Sequence, residues 1–168
     1  LSDTDTDIAW LLGMLHDIGR FEQVRRYGTF ADDKSINHGE LGANILFRDG
    51  LIEEFVPELA DLKEMDIWNT LDNAIRYHSE YRVPEELNER DRMFTDLLRD
   101  ADKIDILRVN YEVGVEKIYN VTAEEARSCT VTDEVMEAFT GKQAVLRKYK
   151  KTPVDHVVGH ISLVFELV

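Results

Sequence analysis

The chain has 168 residues, 43% of them hydrophobic, and its 34 acidic and 20 basic residues give it a net charge of −14. This length suffices for one domain with a substantial core, and we expect residues 1–168 to form a single domain. The charge argues against a broad nucleic-acid surface or a membrane-binding surface, since both partners are anionic. No apolar run is long enough to span a bilayer, and no signal peptide is recognisable. A single cysteine, Cys129, excludes an internal disulfide framework and fits a reducing compartment, so we expect a cytoplasmic protein.

The first predicted helix begins at a cap, Ser2 or Asp3, and runs to about His16. Its apolar residues recur at the spacing of one helix face, which predicts that this face packs into a core. His16 and Asp17 stand at the inner end of that run. Burying an unpaired carboxylate is costly, so Asp17 needs a partner. A divalent cation is one such partner, because imidazole and carboxylate together suit zinc, iron or manganese. The alternatives are a buried ion pair or a helix-capping Asp. The apolar residues of this face are Ile8, Leu11, Leu12, Leu15 and Ile18.

A second helix is predicted over about Ile18–Arg26. Arg20 stands four residues after His16 and would project from the same face if one helix continued through Gly19. An arginine there presents a planar fork of donors to a phosphate group. The alternative for Arg20 is a surface salt bridge with a carboxylate. Gly13 and Gly19 bracket the His-Asp pair and are expected to allow close backbone approach.

Residues 29–37 are expected to form a polar surface loop, and such loops often carry substrate contacts. A helix over about Asn37–Arg48 follows, with His38 on its apolar face. The stretch Leu51–Leu62 is predicted to form a short helical pair interrupted at Pro57.

The next predicted helix, about Met65–Ser79, places His78 directly on its buried stripe. A lone histidine there is more often a packed core residue than a ligand, but His38 and the His-Asp pair favour a shared site. A long helix over about Asn88–Tyr111 carries Asp102 on the flank of its apolar stripe. That stripe consists of Phe94, Leu97, Leu98, Ala101, Ile104 and Leu107.

The sequence beyond Val113 predicts short helices and a basic connector, Gly141–Lys151. Thr152 and Pro153 are typical of a helix start and open the last helix. His156 and His160 stand four apart on it, but no Glu lies between them in the zinc-protease arrangement, and we interpret them as surface or boundary residues. The short helices are predicted over Val115–Asn120, after Thr122 and over Thr132–Phe139.

Four motifs together resemble the HD-domain superfamily of metal-dependent phosphohydrolases, in the order in which that family carries them. The resemblance covers about residues 8–108 and implies an all-α fold, a helical bundle with an interior metal site. The motifs are His16-Asp17-Ile18-Gly19-Arg20, the stretch His38–Leu46, the stretch Ala74–Glu80 and the stretch Leu97–Asp105.

The resemblance also implies roles for individual residues. His16, Asp17 and Asp102 would hold a first metal ion, and His38 and His78 a second. Asp17, Arg20 and Lys103 are the implied catalytic residues, with Arg20 and Lys103 on the phosphate. Asp105 would orient a neighbouring ligand.

This chain departs from the family pattern in two places. The family carries a further His on a helix upstream of the His-Asp pair, and no His precedes His16 here. Because the sequence begins without Met and stops within an apolar helical pattern, we expect it to be truncated at both ends. The cyclic-dinucleotide branch of the family has a Gly-Tyr-Pro signature, whereas this chain has Tyr81-Arg82-Val83-Pro84, which argues against that activity.

The implied reaction is hydrolysis of a phosphoester or phosphoanhydride in a small phosphorylated substrate, of which a nucleotide is the expected example. The number of histidines favours iron, manganese, zinc, nickel or cobalt over magnesium, which prefers oxygen ligands. The alternative is a non-catalytic HD-type regulatory domain that binds a nucleotide or a metal. The absent upstream His is the feature in favour of that alternative.

Overall fold

Helices and short helical turns make up the computed structural model, which describes residues 2–57 and 66–168. No strand occurs among these residues, so the all-α prediction is confirmed for them. The chain divides into two compact units, Leu1–Ala101 and Asp102–Val168. No helix in the described ranges combines the length and hydropathy that a bilayer span requires.

The first unit contains the helices that the sequence predicted around the His and Asp residues. The segment predicted as one helix over 37–48 divides into α3 and a wider π-helical turn, Asn44–Arg48. Part of the helical pair predicted over Leu51–Leu62 lies in residues 58–65, outside the described residues. The helices are α1 (Asp3–Leu15), α2 (Ile18–Tyr27), α3 (His38–Ala43), α4 (Ile52–Phe55), α5 (Asp66–Tyr77) and α6 (Glu89–Val113), which continues into the second unit.

Ser2 caps the N-terminus of helix α1, and its side chain accepts a hydrogen bond from the backbone N–H of Asp5. The Asp5 carboxylate accepts from the backbone N–H of Ser2, which completes a capping box. The helix ends at Leu15, so His16 and Asp17 form the junction with α2. The two helices predicted here are thus separate, and the condition under which Arg20 would share a helix face with His16 is not met. The chain turns at the His-Asp pair.

The core of the first unit forms where the apolar faces of α1, α5 and α6 meet residues from α3 and α4. It includes the face of α1 that the sequence predicted to be buried. Phe47 and Trp68 pack edge to face beside it. The buried residues of this cluster are Ile8, Leu12, Leu15, Ala43, Leu46, Ile52, Leu71, Ala74, Ile75, Phe94 and Leu98.

Two glycines set the distance between the helices that carry the site. A Cβ on Gly19 of α2 would lie 2.1 Å from the carbonyl oxygen of His38 and 2.6 Å from the backbone nitrogen of Gly42. A Cβ on Gly39 of α3 would lie 2.9 Å from the carbonyl oxygen of Ile75. Helix α3 is thus packed backbone to backbone against both α2 and α5. The expectation for Gly13 is wrong, because nothing lies within 4 Å of a Cβ built there.

The buried residues of helix α6 differ from those of its predicted apolar stripe. Ile104 is 55% exposed and Leu97 is also exposed, whereas Thr95 and Arg99 are buried. Asp91, also buried, accepts hydrogen bonds from the side chains of Thr70 and Asn73 on α5. Hydrogen bonds to α5 therefore replace part of the apolar packing that periodicity predicted.

The second unit contains the short helices that capping residues predicted. Thr122 and Thr152 each form a capping box, the latter with Asp155, whose buried carboxylate also accepts from the backbone N–H groups of Thr132 and Lys151. Single 3₁₀ turns, Arg147–Tyr149 and Ser162–Glu166, flank the last helix. The helices are α7 (Val115–Tyr119), α8 (Ala123–Ser128), α9 (Asp133–Thr140) and α10 (Pro153–Ile161).

His156 and His160 of α10 are partly buried, as expected of boundary residues. Nδ1 of His160 lies 2.7 Å from the hydroxyl of Tyr119 and 3.0 Å from Nδ2 of Asn110. Burial lowers the pKa of His160 to about 4 and raises the pKa of Tyr119 to about 12. Both groups are therefore neutral at pH 7 and are bound in a local hydrogen-bond network.

Candidate metal centre

Three histidines and an aspartate from three segments of the first unit converge on one point. His16 and Asp17 come from the α1–α2 junction, His38 from the start of α3, and His78 from the residue after α5. One ligand atom from each of His16, Asp17 and His78 lies within 4.8 Å of the others. Oδ1 of Asp17 is 3.2 Å from Nε2 of His38 and 3.9 Å from Nε2 of His78.

The other ring nitrogen of each histidine already has a hydrogen-bond acceptor. Nδ1 of His16 lies 2.9 Å from the carbonyl oxygen of Gly13, and Nδ1 of His78 lies 2.7 Å from that of Ile75. A carbonyl oxygen can only accept, so both Nδ1 atoms carry the proton. When such a ring is neutral, Nε2 presents its lone pair toward Asp17. This is the tautomer that a metal ligand bound through Nε2 requires.

His38 has the same arrangement, with a carboxylate as the acceptor. Its Nδ1 lies 2.7 Å from Oδ2 of Asp32, and its Nε2 lies 3.0 Å from Nε2 of His78. Two neutral rings with protonated Nδ1 atoms would direct two lone pairs at each other across this distance. Either a proton on His38 or a cation between the rings removes that repulsion. Two nitrogens bound to one tetrahedral ion at ~2.0 Å stand ~3.3 Å apart, so the pair fits one cation.

The charges of the cluster are strongly coupled. Burial raises the pKa of Asp17, but the hydrogen bond from His38 and the charges of Arg20 and His16 outweigh it and hold that pKa well below its usual range. Burial lowers the pKa of His78 to about 4, so this ring is neutral at pH 7. Burial also lowers the pKa of His38, but hydrogen bonds to Asp17 and Asp32 raise it overall. An anionic carboxylate and a neutral imidazole are the forms that bind a metal.

Asp32 is a member of the site that the sequence did not reveal. It lies in a 3₁₀ turn, Asp32–Lys34, within the loop expected to carry substrate contacts. The buried Gln23 of α2 fixes it, since Nε2 of Gln23 donates to Oδ1 of Asp32 at 2.7 Å and also to Ser35 and Ile36. An acidic residue six positions before His38 was the available signal. Its pairing with His38 depends on a loop path that periodicity does not predict.

Arg99 supports His78 from helix α6. Its buried guanidinium donates to the carbonyl oxygens of Tyr77, His78 and Glu80, at the C-terminal end of α5. The backbone that carries His78 is thereby tied to α6. Arg99 belongs to the last of the four motifs, but no role was predicted for it.

Arg20 lies at the edge of the cluster. Its Nε donates to Oδ1 of Asp17 at 3.1 Å, and its Nη1 donates to the carbonyl oxygen of Phe30 and lies 3.7 Å from Oδ1 of Asp32. The ion pair predicted as its alternative is thus present, with a carboxylate of the cluster itself. No described residue accepts from Nη2, which remains able to donate to an anion.

Asp102 and Lys103 lie on α6 and are the first two residues of the second unit. Nζ of the buried Lys103 donates to the carbonyl oxygen of Glu166 at 3.0 Å and lies 3.8 Å from its carboxylate. Asp102 is partly buried. Their roles as a metal ligand and a phosphate contact remain predictions.

A comparison with models of protein families identifies the family of this chain. A model of the HD domain matches residues 2–110, which include all four of the predicted motifs. The chain belongs to the HD domain family. No curated protein and no solved structure matches it. HD domains bind divalent metals, and most of the superfamily are metal-dependent phosphohydrolases.

Proposed function

We propose that this HD domain is a metal-dependent phosphohydrolase that cleaves a phosphoester or phosphoanhydride bond of a nucleotide-like substrate. One observation carries the proposal. His16, His38 and His78 each have Nδ1 bound to an acceptor, which leaves Nε2 facing the carboxylate of Asp17. Three imidazole rings that are held by acceptors at Nδ1 and direct Nε2 at one carboxylate form the ligand arrangement of a metal centre.

The residues of the cluster are the proposed ligands of the metal. His16, Asp17, His38 and His78 would hold one or two divalent ions, and Asp102 is a predicted further ligand. The donor set favours iron, manganese, zinc, nickel or cobalt over magnesium. A divalent ion in this position would polarise a phosphoryl oxygen and promote ionisation of a water molecule.

The remaining groups bind the phosphate of the substrate or orient the histidine ligands. Arg20 directs donors toward the phosphate while its contact with Asp17 holds it in place. Asp32 fixes the ring of His38, and Arg99 fixes the backbone of His78. Each interaction limits the positions of a ligand before substrate arrives, so little reorganisation is needed during the reaction.

Phosphate release from a panel of nucleoside mono-, di- and triphosphates with added manganese tests the proposal. Asp17→Asn should lower the rate by at least about 10²-fold, because it removes the carboxylate on which three ligands converge. Asp7→Asn, at an exposed position of α1, is the matched control and should retain the wild-type rate. Equal rates in Asp17→Asn and the wild type would refute the proposal. Retained metal with no turnover of any panel member would favour the regulatory alternative.

A further inference from the structure

A cavity of about 410 Å³ opens beside the cluster, and its lining changes from charged to apolar along one helix face. Asp17 caps the N-terminus of α2, and Arg20, Phe21 and Val24 follow it at i+3, i+4 and i+7, so the four residues form one continuous stripe. Phe30, from the loop after α2, completes the lining. The volume lies within the range of ~300–1,000 Å³ typical of small-molecule sites.

The apolar end of this cavity is unusually exposed. Phe21 is 79% exposed and Phe30 is 64% exposed, although both lie next to charged residues of the site. Arg20 donates to the backbone carbonyl oxygen of Phe30, which ties the position of this loop to that of the guanidinium. Exposed aromatic rings held beside a candidate phosphate-binding group are typical of a binding surface rather than of a core.

A second cavity, of about 490 Å³, is lined by Ile18, Glu22, Arg25 and other residues and includes none of the cluster's histidines or Asp17. Phe21 borders both cavities, whereas Phe30 lines only the one that contains Asp17 and Arg20. Phe30 is therefore the more specific probe of the cavity beside the site.

We infer that Phe21, Val24 and Phe30 bind a planar aromatic ring in the organic part of the phosphorylated substrate, with its phosphate at Arg20, beside the metal ion that Asp17 would hold. The inference rests on the proposed function for the position of the phosphate. A flat ring matches the two phenyl side chains, and the guanidinium of Arg20 offers a further flat face at the charged end. The substrate then lies along α2, over the ~10 Å that separates Asp17 from Val24 at ~1.5 Å per residue.

Binding of adenosine 5′-monophosphate and of ribose 5-phosphate to the manganese-loaded chain tests the inference by calorimetry. The two probes share the sugar phosphate and differ in the ring. The wild type should bind the adenosine compound about tenfold more tightly, and Phe30→Ala should abolish that difference while leaving the affinity for ribose 5-phosphate unchanged. Phe55→Ala removes an exposed phenyl group of α4 outside the cavity and should preserve the difference.

The outcomes separate this inference from the proposed function. Equal affinity of the wild type for both probes, or an unchanged preference in Phe30→Ala, would overturn the ring site even if phosphate release were observed. A preference that depends on Phe30, with no hydrolysis of any nucleotide, would support the ring site and refute the phosphohydrolase.

Discussion

Asp32 determines how one ring of the cluster is held. Its carboxylate accepts from Nδ1 of His38, and Gln23 fixes the carboxylate in turn. Asp32→Asn keeps the shape but loses the charge that favours the Nδ1–H tautomer, so we expect metal affinity to fall by about 10- to 100-fold. Titration against a chromogenic chelator measures this affinity. Asp33→Asn, an exposed neighbour in the same turn, should leave it unchanged. Equal losses of metal affinity in the two variants would show that Asp32 acts only through its charge and not through its hydrogen bond with His38.

Arg20 is expected to act on substrate and not on metal, because a guanidinium cannot become a ligand at usable pH. Arg20→Ala should leave the metal content unchanged and lower kcat/KM by about 10²-fold, or roughly 2.7 kcal/mol of transition-state stabilisation. Metal analysis and steady-state kinetics on the same preparation measure both quantities. Wild-type kinetics would leave Arg20 as a partner of Asp17 alone, and Lys103 would then be the residue to test.

Some residues of the site were predicted from the sequence and others were not. His16, Asp17, His38 and His78 were predicted as site residues from the resemblance to the HD-domain superfamily, and the structure brings them together. Asp32 and Arg99 were not, because each contacts its histidine through a loop path or across helices. Arg20 reaches the site edge although α1 and α2 do not form one continuous helix, since Arg20 stands three residues after Asp17 and pairs with its carboxylate.

At the scale of the helices, Gly19 controls the approach of α2 to α3. Gly19→Ala would place a Cβ against the backbone of His38 and Gly42, which cannot yield as a flexible side chain would. We expect the free energy of unfolding to fall by about 1–3 kcal/mol or more. Gly13→Ala is the matched control, because its Cβ meets open space within α1 and should stabilise the helix by ~1 kcal/mol.

Urea denaturation of the two glycine variants measures these changes. Opposite signs are expected, although both substitutions add one methyl group to a helix. Destabilisation of similar size in both would mean that helix α2 tolerates the contact by shifting, and that Gly19 does not set the distance to His38.

Helix positions were more predictable than helix contacts. Caps and breakers are local, so the start of α1 at Ser2, the end of α2 before Gly28 and the start of α10 after Thr152 agree with the sequence. The buried face of α6 was predicted less well, because Asp91 and Arg99 are buried by hydrogen bonds to α5 and its C-terminal turn. Periodicity of apolar residues does not register burial of that kind.

For the molecule as a whole, metal binding should be linked to stability. The ligands come from the α1–α2 junction, α3 and the end of α5, so only the folded first unit brings them together. An ion present at 100 times its Kd adds ~2.7 kcal/mol to the free energy of unfolding. For a chain of this length, that corresponds to a rise in Tm of about 5–10 °C.

Thermal unfolding with manganese, and after its removal by a chelator, measures this linkage. His78→Ala provides the control, because it removes a ligand from the buried cluster and should unfold at nearly the same Tm under both conditions. His156→Ala, in the second unit, should keep the full metal-dependent shift because it lies outside the cluster. A wild-type Tm that does not respond to the metal would contradict a metal centre at these residues. A shift lost in His156→Ala and kept in His78→Ala would place the ion in the second unit.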